Sequence, residues 1–178
     1  SSIERLEEES RKNIKELEDS VKELKEEVDR LVEELERSVR ELAKIVEDVV
    51  RELKKRARKR EKEVKEVVER ARKLIDEVRR ENERVIEEMR RLLKEVEDDN
   101  RRVVEESKKL IEEVKNGDDD EEVKRVLEES HRLVREVHER NKRVAERVRD
   151  LVRRVHEENE RVAEEIRDLV RRVEEEVR

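Results

Sequence analysis

Apolar residues recur along the whole chain in one frame of 18 residues, with apolar slots at offsets 0, 3, 4, 7, 10, 11 and 14. In one block the slots are Val28, Leu31, Val32, Leu35, Ser38, Val39 and Leu42, and in another Val64, Val67, Val68, Ala71, Leu74, Ile75 and Val78. They return as Val123, Val126, Leu127, Ser130, Leu133, Val134 and Val137. Eighteen residues are about five turns of α-helix, so a stripe with this repeat neither drifts around the helix nor asks for the left-handed supercoil of a heptad. The slots cover an arc of about 120°, wider than a two-stranded seam. Straight helices are therefore expected, each packed against two or more neighbours.

Composition sharpens this reading. With 59% charged residues and no Phe, Trp or Tyr, the chain has no material for a deep globular core and must bury long thin stripes. The periodic placement of Val and Leu separates it from a disordered chain of similar charge. There is no cysteine, hence no disulfide framework or thiolate site. No apolar run is long enough to span a membrane, and Ser1-Ser2-Ile3-Glu4 is not the start expected of a signal peptide. A net charge of −7 favours solubility and argues against nucleic acid as a partner. The expected setting is soluble, such as an expression cytosol, with the compartment otherwise open.

One cluster stands out as a turn. Asn116-Gly117-Asp118-Asp119-Asp120 holds the only glycine of a 178-residue chain that lacks proline. Asn116 or Gly117 suits the positive φ just past a helix end, and an aspartate, Asp120 by position, suits the cap of the next helix. The frame thus predicts an all-α chain: a very long helix 1 from Ile3 to Lys115, about 170 Å at 1.5 Å per residue, one tight turn, and a shorter antiparallel helix 2 from Glu121 to Val177. Residues 1–60 then form an arm for packing between chains, and residues 61–178 a hairpin.

The second half repeats itself closely. Asn141-Lys142-Arg143-Val144-Ala145-Glu146 returns as Asn159-Glu160-Arg161-Val162-Ala163-Glu164, and the match runs on to Val155 and Val173. Stripe positions stay nearly constant while surface positions vary, as when a periodic backbone is given side chains position by position. With the 18-residue frame, the single Asn116-Gly117-Asp118 turn and the missing aromatics, prolines and cysteines, the chain resembles computationally designed helical-hairpin oligomers that carry buried hydrogen-bond networks. A natural spectrin-like or tropomyosin-like rod is the rival, and would carry aromatics, more Ala or Gln, and looser repeats.

Polar residues inside the stripe are the candidate site. Asn82, Asn100, Asn141 and Asn159 all occupy offset 0, near the stripe's centre, and a buried amide is tolerable only when it is hydrogen-bonded. Such residues penalise wrong registers and wrong helix numbers. Ser10, Asn13, Ser20, Ser38, Ser107 and Ser130 fill other stripe slots. Folding the chain at its turn brings together residues of helix 1 and helix 2 whose numbers sum to about 236, within one helical turn. That register sets Ser107 opposite His131, Asn100 opposite His138 and Asn82 opposite His156, predicting three polar layers. His138 and His156 lie just beyond the stripe's last apolar slot and His131 farther out, so the competing reading is that they are boundary residues facing water.

Other chemistry has little support. His138-Glu139-Arg140-Asn141 and His156-Glu157-Glu158-Asn159 lack the second histidine of a zinc-binding helix, so no metal is expected. No catalytic triad, phosphate loop or cofactor motif is present, and neither an enzyme nor a small-molecule substrate is expected. Arg51 to Lys62 holds eight basic and two acidic residues, a run without aromatics to stack bases. The terminal Glu174, Glu175 and Glu176 fall opposite that run.

Taken together, the residues predict a self-assembling structural scaffold. Helix 2 would cover helix 1 only from about residue 60, which leaves Ile14 to Leu53 to another chain. Charge favours antiparallel arms and a straight rod about 250 Å long with dihedral symmetry. Two or three chains from each end give four or six helices per cross-section, and a hexamer is favoured over a tetramer for its wide polar core. Alternatives are a pH-responsive assembly switched by buried histidine networks, or one half of a heteromeric binding module.

Overall fold

The computed structural model describes residues 2–115 and 119–177, with the side chains of Ser2, Glu176 and Val177 left aside. Three long helices account for nearly all of them: α1 Ser2–Arg56, α2 Glu61–Lys115 and α3 Asp120–Val177. No strand occurs among the described residues. The chain is all-α, as the frame implies.

One expectation is corrected. Residues 3–115 do not form one continuous helix, and the two-helix hairpin is replaced by three helices, because the chain turns a second time at Ala57-Arg58-Lys59-Arg60. Six of the seven residues from Lys54 to Arg60 are basic. Counted from Val46, a helix carried through this run would place Arg56 and Arg60 at offsets 10 and 14, inside the apolar stripe. Burying those charges is costly. Ending the helix instead sets Lys54, Lys55 and Arg56 in its last turn and Glu61 and Glu63 in the first turn of α2, each sign at the favourable end of a helix dipole.

The bend is hydrogen-bonded and anchored. Ala57 N–H donates to the Leu53 carbonyl at 3.0 Å, Arg60 N–H to the Ala57 carbonyl at 3.0 Å, and Val64 N–H to the Arg60 carbonyl at 3.0 Å. Leu53 and Ala57 stay buried with Val64, Val68, Val170 and Val173 while Arg58 and Lys59 are exposed. Arg56 reaches Glu174 at 3.4 Å.

The turn singled out in the sequence is also a junction between helices. Asn116, Gly117 and Asp118 lie outside the described residues. Asp119, not Asp120, caps α3: its Oδ1 accepts the Glu121 N–H at 3.1 Å and its carbonyl accepts the Val123 N–H at 3.1 Å. Asp120 is already the first helical residue. The cap falls one residue earlier because a side-chain carboxylate reaches the N–H two residues on, which here belongs to Glu121.

The helices contribute to two compact units, one of residues 1–29 and 89–148, the other of residues 30–88 and 149–178. In the first, Ile14 and Leu17 of α1 pack with Val103, Val104 and Ile111 of α2 and with Val123, Leu127, Val134 and Val137 of α3. In the second, Leu42 and Val46 pack with Ala71, Leu74, Ile75 and Val78 and with Val162 and Ile166. Each unit thus buries the stripes of three helices on one another. Hence the segment from Ile14 to Leu53, expected to need a second chain, has Ile14, Leu17, Leu24, Val28, Leu35, Leu42, Val46 and Leu53 buried within its own chain.

Candidate functional site

The polar residues of the stripes form the site with the most defined geometry. In the unit of residues 30–88 and 149–178, Asn82 of α2 and Asn159 of α3 exchange two hydrogen bonds: Asn82 Nδ2 donates to Asn159 Oδ1 at 2.9 Å, and Asn159 Nδ2 to Asn82 Oδ1 at 3.2 Å. Asn82 Nδ2 also donates to the Val78 carbonyl one turn back at 2.7 Å. The other unit repeats the arrangement. Asn141 Nδ2 donates to Asn100 Oδ1 at 3.0 Å, Asn100 Nδ2 to Asn141 Oδ1 at 3.3 Å, and Asn100 Nδ2 to the Val96 carbonyl at 2.5 Å. All four side chains are buried.

Why asparagine meets asparagine follows from the frame. All four residues are at offset 0, so on antiparallel helices they stand at the centre of facing stripes. A histidine at offset 15 sits at the stripe's edge and points past the seam. The structure accordingly does not join Asn100 to His138 or Asn82 to His156 in the described hydrogen bonds; each asparagine takes the one three residues after the expected histidine.

Charged pairs flank the buried amides on the surface. Glu81 and Arg84 bracket Asn82 with a contact of 2.5 Å, and Glu158 and Arg161 bracket Asn159 with another of 2.5 Å. Donating a hydrogen bond to the Glu81 carboxylate raises the Arg84 pKa above its usual value, and donating one to Glu158 does the same for Arg161. Beside Asn100, Asp99 holds Arg102 at 3.1 Å and Arg140 of α3 at 3.4 Å. These exposed contacts contribute little individually.

The histidines are half-buried and separate. His131 Nδ1 lies 2.5 Å from Asn13 Nδ2 of α1. An amide nitrogen donates, so in this arrangement Nδ1 is the acceptor. His156 Nε2 lies 3.7 Å from Glu34 Oε1 of α1, an ion pair when the ring is protonated. His138 has no described hydrogen bond or ion pair. Ser107 and Ser130 are fully buried, and neither hydroxyl has a hydrogen-bond partner.

A single hairpin sets the expected histidine partners on helix 1 beyond residue 60. The partners Asn13 and Glu34 lie on α1, which a continuous helix carries away from α3. Asn13 was visible as a polar residue in a stripe slot, whereas nothing in the sequence marks Glu34 among so many surface carboxylates.

Among the described residues no group of three or more His, Cys, Asp or Glu side chains is arranged to hold a metal ion. No described helix is long and apolar enough to cross a membrane. The reciprocal asparagine bonds can hold helices in register. No known protein family, curated protein or solved structure matches the chain.

Proposed function

We propose that the chain is a structural scaffold without catalytic activity, an idealised helical bundle of the computationally designed kind, whose buried amides set the register in which its helices pack. The observation that carries this reading is the reciprocal asparagine pair, present twice at a spacing of 18 residues on both α2 and α3. A slip of one helix past the other by a turn leaves each amide facing aliphatic side chains, at a cost of about 1–3 kcal/mol for each unsatisfied group. An apolar contact tolerates the same slip far better. The pairs therefore act by penalising alternatives more than by adding stability.

The test replaces Asn82, Asn100, Asn141 and Asn159 together with Val. Stability against denaturant should be preserved or raised, while native mass spectrometry and amide NMR spectra should show more than one oligomeric or conformational species. A variant with one mass and one set of resonances removes the register-setting role.

Self-association into a homo-oligomer is a second reading. It draws support from Ile45, 46% exposed on α1 beside the half-buried Val49 and Val50, an apolar edge that a second chain would cover. Light scattering separates the two: a mass of 21.8 kDa is that of one chain, and a multiple of it that of the assembly.

A further inference from the structure

The bend between α1 and α2 contains no backbone device that obliges a helix to stop; only the charges of the basic run oppose its continuation. Ala57-Arg58-Lys59-Arg60 holds neither glycine nor proline, and no described residue has a positive φ, so no left-handed residue locks the turn. Straightening it would let the N–H groups of residues 58–60 bond to the carbonyls of Lys54, Lys55 and Arg56, and those of Glu61, Lys62 and Glu63 to the carbonyls of residues 57–59, adding to the Val64–Arg60 bond already made. The frame also passes through unbroken. Val46 and Val64 both stand at offset 0, 18 residues apart, so the joined helix would present a single stripe in phase.

We infer that α1 exchanges between two chains by straightening at residues 57–60, and that a second copy of this chain is the partner that the α2–α3 surface accepts. Every contact α1 makes within its own chain then recurs between chains. Ile14 and Leu17 still cover Val103, Ile111 and Leu127, and Leu42 and Val46 still cover Leu74 and Ile166. Exchange therefore loses none of the apolar burial and gains backbone hydrogen bonds at the hinge.

The basic run sets the balance. In the exchanged dimer the two hinges meet at a twofold axis, bringing two copies of Lys54, Lys55, Arg56, Arg58, Lys59 and Arg60 together with Arg56 and Arg60 in stripe slots. In the single chain the run lies at the end of α1, where the helix dipole favours cations. Like charge thus holds the hinge bent, and salt weakens that hold: screening lengths fall from about 30 Å at about 0.01 M to about 3 Å at about 1 M. This inference does not depend on the scaffold reading.

The experiment uses the full chain, unfolded in guanidinium and refolded at high protein concentration, with dimer share measured by light scattering at about 0.01 M and about 1 M salt. Arg56→Leu with Arg60→Leu completes the stripe and should raise the dimer share by about tenfold or more. Arg58→Gly with Lys59→Asn supplies a helix stop and should lower it. The original sequence should dimerise several-fold more at high salt than at low. Connectivity is read separately with Glu18→Cys and Lys108→Cys, whose native side chains form an ion pair at 3.5 Å between α1 and α2, joined by a flexible bis-maleimide. The monomer should give a cross-link within one chain, and the dimer fraction a product of twice the chain mass on a denaturing gel. A dimer cross-linked only within chains is a surface association and overturns the inference. So does a helical leucine variant that stays monomeric at both salts. The salt series on the original sequence requires no variant to fold, and an unchanged dimer share across it overturns the role of charge.

Discussion

The unit of residues 30–88 and 149–178 and the unit of residues 1–29 and 89–148 are built from the same three helices and the same frame, yet they are filled differently. The first buries Asn82 and Asn159 as its only polar side chains among the described residues. Beside them lie the aliphatic clusters around Leu42, Leu74 and Ile166 and around Leu53, Val68 and Val173. The second buries Asn100 and Asn141 in the same way, and adds Ser10, Ser107 and Ser130. An identical backbone pattern thus carries a nearly dry aliphatic core in one unit and a core diluted with small polar groups in the other. Stability in such a molecule comes from the aliphatic positions, and the role proposed for the polar ones is to discriminate between registers.

The largest effects should come from leucines that are fully enclosed. Leu35, 0% exposed, represents one unit and Leu17, 1% exposed, the other. Leu35→Ala and Leu17→Ala should each cost about 2–5 kcal/mol in denaturant unfolding, from lost transfer energy and the cavity left behind. A loss below about 1 kcal/mol at either site would show that its unit is not close-packed around that leucine.

Next come the amides. Asn82→Val alone strands the Asn159 side chain among aliphatic residues and should cost about 1–3 kcal/mol, whereas adding Asn159→Val should recover most of that loss. Additive losses in the double-mutant cycle would show that the two amides are not coupled. The smallest effect belongs to the serines. Ser107→Ala and Ser130→Ala each remove a buried hydroxyl that has no protein partner, and should leave stability unchanged or raise it by up to about 1 kcal/mol. A clear loss would mean that the hydroxyls are bonded through an ordered water, and would place the polar layers of the two units on the same footing.

Helical class and the burial of the four asparagines are legible from the 18-residue frame alone, because period and offset determine which face is covered. The antiparallel direction of α2 and α3 is legible too, but the register only coarsely: Arg70 meets Glu165 and Asp99 meets Arg140, with sums of 235 and 239 against an expected value of about 236, whereas the asparagine pairs each sum to 241, a little over one turn away. The second bend carries no such signal. A turn is usually read from glycine or proline, and residues 57–60 have neither. The signal present is electrostatic and positional: Arg56 and Arg60 break the stripe, and basic residues give way to Glu61 and Glu63 across the junction. A helix continuous through residue 57 carries α1 away from α3, and with it Asn13 and Glu34, the neighbours of His131 and His156. A continuous helix also leaves an arm uncovered, and with it comes the argument for antiparallel arms from another chain.

The central claim is that α1 folds back onto its own chain at residues 57–60. It is tested most directly by spin labels at positions 18 and 108, diluted with an excess of unlabelled chain so that only distances within one molecule are read. Glu18 and Lys108 form an ion pair at 3.5 Å, so the fold predicts a short intramolecular distance between labels. A continuous helix through residue 57 would separate the two positions by 90 residues, about 135 Å at 1.5 Å each, and the absence of any short distance would contradict the account.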